Sequence, residues 1–311
     1  MTGPAEPEAI LVAGDWHAET GWAKQVVERA GKLGISKILH VGDLGIGPWP
    51  GDRAGATFEH KLNRICAKNG VTLHVVPGNH ENWSTIERLE PRTDGWLQLR
   101  EHVLVAPGGL RWTWSGVEFG ALGGAYSVDH AYRTKGRDWW PGLEEVRPEH
   151  LERLGNEPLD VLVTHEVPAG VDLFRTFSLV PETAARAQVS QDLLAEAVER
   201  TAPEVVFSGH WHQRATAYLP LPECARTGRR TVAERHRGAE RGEPLLRTRV
   251  EVLDLGEEYV TGGGRTDQNW VLLSLAELKH EEQRVEEARM RIRDTTYPLG
   301  PLRDADGPLH R

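Results

Sequence analysis

Apolar residues in this chain come in short continuous blocks, separated by stretches in which they recur at helical spacing. Residues 9–13 are apolar throughout and end at Gly14-Asp15. Across residues 20–33, Ala23, Val26, Val27, Ala30 and Leu33 fall on one helix face, and Gly34 follows as a stop. Residues 37–41 form a second block, closed by Gly42-Asp43. A helix is predicted over 56–68, and residues 71–76 end in Pro77-Gly78-Asn79-His80. Strand, helix, strand, helix, strand in this order predicts parallel strands joined by right-handed crossovers.

The pattern changes over residues 97–126, where the stretches 103–106, 110–114 and 117–122 alternate between Gly-rich turns and predict antiparallel hairpins. Residues 160–164 and 205–208 are again buried-strand blocks, ending at His165 and Gly209-His210. An amphipathic helix is expected over 189–200, and last strands over 246–255 and 269–274. Residues 226–249 hold eight Arg against three Glu with little apolar periodicity, and read as a solvated basic loop. From 276 the chain reads as a charged helix that gives way to a Pro/Gly-rich end at Pro298. Leu278, Val285 and Ile292 stand seven apart, a thin seam that would dock on its own domain or make a weak dimer contact.

The length of 311 residues suits one large α/β unit, and 39% hydrophobic content supports a sizeable core. A net charge of −9 argues against broad, sequence-blind nucleic-acid binding. It does not exclude a phosphate substrate, because bound metal ions would invert the local field. Cys66 and Cys224 are too few for a disulfide framework, and neither sits in a CxxC pair, so no structural thiolate zinc site is expected. The first residues lack the basic opening and apolar core of a signal peptide, and no apolar run could span a bilayer. A cytoplasmic location is the expectation.

The candidate chemistry sits where the apolar blocks end: Asp15 and His17, Asp43, Asn79 and His80, His165, then His210 and His212. In an open α/β sheet the carboxyl ends of the strands line one edge, so residues far apart in sequence converge there. Mixed imidazole and carboxylate donors suit divalent Mn, Fe or Zn. Seven such ligands are too many for one tetrahedral ion and fit two ions that share a carboxylate. Each fragment alone is weak, whereas the ordered set is hard to attribute to chance. His40, His60, His74 and His102 have no such placement and read as ordinary core or surface histidines.

The segments Gly14-Asp15-Trp16-His17, Gly42-Asp43, Gly78-Asn79-His80-Glu81, Thr164-His165 and Gly209-His210-Trp211-His212 resemble the calcineurin-like metallophosphoesterase superfamily. The resemblance spans roughly residues 9–275 and keeps the family's order. It implies a four-layer α/β/β/α sandwich with two central mixed sheets, formed by residues 1–275, with 276–311 as a charged helix and flexible tail. It further implies that Asp15, His17 and His212 hold one metal, that Asn79, His165 and His210 hold another, that Asp43 bridges them, and that His80 stands beside the leaving group. The implied ions are Mn2+ for preference, with Fe, Zn or Ni as alternatives. The implied reaction is hydrolysis of a phosphodiester or phosphomonoester, a nucleotide being one candidate, by a hydroxide bridging the two ions.

One departure bears on the branch. The phosphoprotein phosphatases of the superfamily carry Gly-Asp-x-x-Asp-Arg-Gly, whose second Asp orients the catalytic His. Here Ile46 stands in that Asp's place and Gly47 in the Arg's, which disfavours that branch and leaves His80 without its usual partner. A nuclease of the same superfamily stays open, as does a non-catalytic binding module that keeps the metals as a scaffold. Residues 124–150 are expected to form a lid, with His130, Arg133, Arg137 and Trp139 as substrate contacts and Lys135 and Trp140 beside them; a surface loop pinned by buried Trp is the plainer possibility. Arg175 and Arg186, within 168–187, are read as part of a solvated connection.

Overall fold

Alternation inside the strands decides the layering. The structure is a computed structural model that describes residues 6–49, 52–53, 57–174, 178–221, 247–255 and 269–279. One sheet holds β1 (Ala9–Ala13), β2 (Lys37–His40), β3 (Thr72–Val75), β4 (Leu97–Arg100), β5 (Val103–Val105) and β12 (Trp270–Ser274), in the order β12-β1-β2-β3-β5-β4. The other holds β6 (Arg111–Trp114), β7 (Val117–Leu122), β8 (Val161–Thr164), β9 (Val205–Ser208), β10 (Ala215–Pro220) and β11 (Arg247–Val252), in the order β10-β11-β9-β8-β7-β6. In each sheet the inner pairings are parallel and both edge strands are antiparallel.

On β1, Leu11 and Ala13 face outward to α1 (Thr20–Lys32) and α2 (Phe58–Asn69), whose Val27, Ala30, Leu62 and Cys66 close a first core. Ile10 and Val12 face the other way and meet Phe119, Val161, Val163 and Phe207 of the second sheet in a core between the sheets. The outer face of the second sheet, with Leu162, Val206 and Val250, is covered by α4 (Pro148–Leu154) and α5 (Pro181–Thr201) through Leu151, Leu194 and Val198. Three cores make four layers, α/β/β/α. Each fully buried Leu, Ile or Phe contributes roughly 1.5–3 kcal/mol relative to exposure, so this alternation is a strong determinant of which way each strand faces.

Several sequence expectations are corrected. The stretch 97–126 forms two hairpins, but in different sheets: β5 pairs antiparallel with β4 and parallel with β3 in the first sheet, so 103–106 do not pair with 110–114, and the chain crosses to the second sheet before the β6–β7 hairpin. The helix expected at 189–200 begins at Pro181, because Pro fixes the first helical φ without losing a hydrogen bond that the helix needs. Arg186 therefore lies on that helix and pairs with Glu145 (2.8 Å), whereas Arg175 lies outside the described residues. Strand β10 was not expected; it is an edge strand in which exposed residues alternate with the half-buried Ala215 and Ala217 and the buried Leu219. The basic stretch 226–249 is described only from Arg247, which opens β11. At the other end, the short helix α6 (Leu275–Lys279) docks on the core between the sheets through Leu275 and Leu278. Val285, Ile292 and Cys224 lie outside the described residues. No helix among the described residues is long and apolar enough to cross a membrane.

Candidate metal centre

The carboxyl ends of β1, β2, β3, β8 and β9 converge, and each leads into a short loop that carries a candidate ligand. His17 Nε2 lies 3.7 Å from Asp43 Oδ2 and 3.2 Å from His212 Nε2. On the opposite side of the same carboxylate, His165 Nε2 lies 3.2 Å from Asp43 Oδ1 and 3.1 Å from Asn79 Oδ1. The His165 and His210 rings are 5.0 Å apart. Two groups of donor atoms result, one of His17, Asp43 and His212 and one of Asp43, His165 and His210, each with its atoms within 4.8 Å of one another. Asp15 is fully buried beneath them, with Oδ2 3.8 Å from His212 Nε2 and Oδ1 3.9 Å from His165 Nδ1.

Glycine precedes four of these residues, and at three of them, Gly42, Gly78 and Gly209, a Cβ would collide with a candidate ligand's side chain. A Cβ on Gly78 would lie 2.1 Å from Asp43 Oδ1 and 2.8 Å from His165 Nε2; one on Gly209 would lie 2.3 Å from Asp15 Oδ1. The ligands themselves carry strain. Asp15, His17, Asp43, His210 and His212 all have φ between 44° and 67°, a region that costs an L-residue roughly 1–2 kcal/mol. Non-glycine outliers of this kind concentrate at functional sites.

The charge pattern fits a cation centre. Asp15 Oδ1 and Asp43 Oδ2 are buried without a hydrogen-bond partner, a costly state for a carboxylate oxygen unless a cation meets it. Burial pushes the Asp15 carboxyl well above the usual carboxylate range. Burial would do the same to Asp43, but the positive charge of His165, followed by that of His80, outweighs it and holds Asp43 well below that range. Burial acts against charge on His165 as well, yet Asp43 and Asp15 drive its pKa up to about 10. His165 Nδ1 bonds the Val41 carbonyl (2.8 Å), which turns Nε2 toward Asp43 and Asn79 as a ligand-bearing histidine requires. These residues fit a pair of divalent ions.

Five supporting residues were not singled out in the sequence. Glu81 is fully buried and accepts the backbone N–H groups of Leu44 (2.8 Å), Gly45 (3.0 Å) and Ile46 (2.7 Å), so it shapes the loop that presents Asp43. Its position directly after Gly-Asn-His was the available signal. Asn79 donates to Ser127 Oγ (3.1 Å), which donates in turn to Glu144. Burial pushes the Glu144 carboxyl up to about 7. Asn269 Oδ1 accepts from the indoles of Trp16 (3.1 Å) and Trp22 (2.7 Å), while its amide donates to the Gly14 carbonyl, locking the loop that carries Asp15. Glu166 accepts from the Trp211 indole (2.7 Å) and stands 3.6 Å from His210 Nε2. Nothing in the sequence pattern marked Ser127, Glu144, Asn269 or Glu166.

His80 lies at the rim, its ring 5.1 Å from that of His17, and its backbone N–H donates to Asp43 Oδ1 (2.8 Å). Ile46 is fully buried in the first core and offers it no carboxylate. The contact comes from the lid. Arg133 Nη2 lies 3.0 Å from His80 Nδ1 and also touches Nε2, while the same guanidinium is paired with Asp129 (2.8 Å). Burial first, and the Arg133 charge as a further cause, lower the His80 pKa to about 4. His130 and Trp139 pack ring to ring at 5.2 Å, both half-buried. Trp140 is a core anchor beside Trp49, so the adjacent tryptophans divide between pinning the lid and facing His130. Arg137 and Lys135 are exposed; the Arg137 side chain makes no hydrogen bond or ion pair among the described residues. Of the remaining histidines, His40 is buried edge-on against Trp16 (4.6 Å) and His74 lies between Trp96 and Trp114 (4.8 Å each), as core residues.

The chain is similar to several solved structures at low sequence identity. A protein from Thermus thermophilus shares 13% identity over 88% of this chain and 96% of its own, with a TM-score of 0.46. A dimetal phosphatase from Danio rerio shares 9% over 81% and 88%, at 0.43. A metallophosphoesterase from Sphaerobacter thermophilus shares 15% over 91% and 96%, at 0.31. No curated protein matches the chain. The family model for calcineurin-like phosphoesterases matches residues 9–214, a stretch that begins with β1, carries all seven candidate ligands and His80, and ends just after His212. The chain belongs to the calcineurin-like phosphoesterase family.

Proposed function

We propose that the chain is a two-metal phosphoester hydrolase. The observation that carries this reading is the division of one carboxylate between two donor groups: Asp43 Oδ2 faces His17, in the group completed by His212, and Asp43 Oδ1 faces His165, in the group completed by His210. Asp15, His17 and His212 would hold one ion and Asn79, His165 and His210 the other, with Asp43 common to both. Mn2+ is the first choice, and Fe, Zn or Ni are alternatives that accept the same donors. Such ions supply Lewis-acid charge to the phosphoryl oxygens and acidify a water.

The chain's own residues then have distinct tasks. Glu81 and Asn269 keep the Asp43 and Asp15 loops in shape, so the ligand atoms need no rearrangement when substrate arrives. His80, at the rim on the His17 side, is placed to contact the leaving oxygen. The half-buried ring pair His130 and Trp139 is assigned to the ester substituent, where an aromatic or nucleoside group could stack. Arg133 faces His80, and Arg137 faces solvent. The buried Ile46 supports a member outside the phosphoprotein phosphatase branch.

The test uses protein stripped of metal and reloaded with Mn2+, assayed on p-nitrophenyl phosphate and bis-p-nitrophenyl phosphate. Turnover of either ester, lost on His80→Ala by roughly 10²–10⁴-fold while two metals stay bound, is the expected result. No turnover of either ester with both metals in place would instead mark a metal-scaffolded binding module. A preference of about tenfold or more between the two esters identifies the reaction class, about 1.4 kcal/mol of differential transition-state binding.

A further inference from the structure

In the loop Gly42-Asp43-Leu44-Gly45-Ile46, Asp43 bonds only the backbone N–H of His80, and Ile46 is turned into the first core, so the loop bonds no side chain to the His80 ring. The face of His80 toward the lid is occupied instead. Arg133, only 8% exposed, lies against both nitrogens of the ring, and its guanidinium is gripped through Nε and Nη2 by Asp129 at 2.9 and 2.8 Å. A guanidinium offers several donors in one rigid plane, so it can bind a carboxylate and an imidazole at once, which a lysine ammonium cannot do with the same geometry. The lid backbone fixes this couple from one side: the short helical turn His130–Tyr132 starts at Asp129, and Arg133 N donates to the His130 carbonyl (3.1 Å). From the other side, Ser127, two residues before Asp129, bonds Asn79, the residue immediately before His80.

We infer that Asp129 and Arg133 are the positioning couple for His80, taking over from the lid the task that the Asp43 loop leaves unfilled. The claim rests on the proposed role of His80, and it concerns how that ring is held. Arg133 acts through His80 and is a positioning residue; it needs no contact of its own with the phosphoryl group. The lid and the leaving-group histidine then order together as one unit.

A double-mutant cycle on the Mn2+-loaded enzyme tests this. Arg133→Ala should lower kcat by about tenfold with KM and metal content little changed, and Asp129→Asn should act in the same direction. In a His80→Ala background, both substitutions should lose their effect, and added guanidinium ion should restore Arg133→Ala but not the double variant. Arg133→Lys should fail to restore the rate. Additive losses in the His80→Ala background would overturn the proposal, since they would mean that Arg133 acts on substrate directly. A second readout needs no turnover. In protein labelled with 15N-histidine and loaded with Zn2+, the His80 imidazole signals, identified by their loss in His80→Ala, should move or broaden in both Arg133→Ala and Asp129→Asn. Unmoved signals also overturn the couple. Moved signals in a protein that hydrolyses neither ester would uphold the couple while the hydrolase reading fails.

Discussion

Substituting Gly78 by alanine should empty the metal centre without touching a ligand. Gly78 is not among the glycines with positive φ, so alanine meets no backbone penalty there. The whole effect comes from one methyl group. That carbon would sit 2.1 Å from Asp43 Oδ1, 2.3 Å from the Asp43 backbone nitrogen and 2.8 Å from His165 Nε2. Asp43 would have to retreat by roughly an ångström to reach an ordinary contact, and its backbone cannot swing aside as a flexible side chain would. Retreat also breaks the bond from His80 N–H to Asp43 Oδ1 (2.8 Å). Overpacking of this kind costs about 1–3 kcal/mol, and the involvement of backbone places Gly78→Ala near the upper end. Metal content by mass spectrometry should fall below two equivalents, and the urea midpoint should drop accordingly. Gly70→Ala is the control: Gly70 caps α2 at φ 64° with open space around its Cβ position, so it should cost about 1 kcal/mol and leave the metals in place. Full metal content and normal turnover in Gly78→Ala would refute the cradle argument.

Asp43→Asn keeps the shape of the shared ligand but removes its charge; at least one of the two metal equivalents should be lost on dialysis, and unchanged content would remove Asp43 from its bridging position. Chelation should lower thermal stability by several degrees, because ions that bind only the folded chain contribute about 4 kcal/mol at a thousandfold excess over Kd; equal melting curves with and without chelator would count against a built site. Glu144 sets a pH dependence. Burial raises its folded pKa to about 7 from 4.5, so between those values the folded chain binds more protons than the unfolded one and stability falls as pH rises. Urea midpoints at about pH 5 and about pH 7.5 should differ less in Glu144→Gln than in the parent, and identical slopes would refute the assignment.

The candidate ligands were legible because most of them follow closely on strands that are buried almost throughout, and parallel strands bring such ends to one edge. Residues 9–13 and 205–208 match β1 and β9 in full for the same reason. Reading was weaker where burial is one-sided or local. β10 alternates without a buried run, and β5 carries an apolar stretch that suits a hairpin as well as a parallel strand. The polar scaffold was hidden for another reason. Asn269 bonds Trp16 and Trp22 across about two hundred and fifty positions, and Arg133 reaches His80 across more than fifty. Such pairings depend on tertiary approach and leave no period in the sequence. Ile46 left the orienting carboxylate either missing or supplied from elsewhere, and only the fold brings Arg133 against His80.

Asp15, His17, Asp43 and Asn79 hang from one sheet, and His165, His210 and His212 from the other. The proposed centre would therefore act as a rivet through a seam that the greasy layer of Ile10, Val12, Phe119 and Phe207 also holds. A change deep in that layer, such as Phe207→Ala, would shift the spacing between the two halves of the rivet and weaken its grip on the ions from a distance. Affinity for the proposed ions would then be a gauge of how the two sheets lie against each other, and loss of either should be felt by its counterpart.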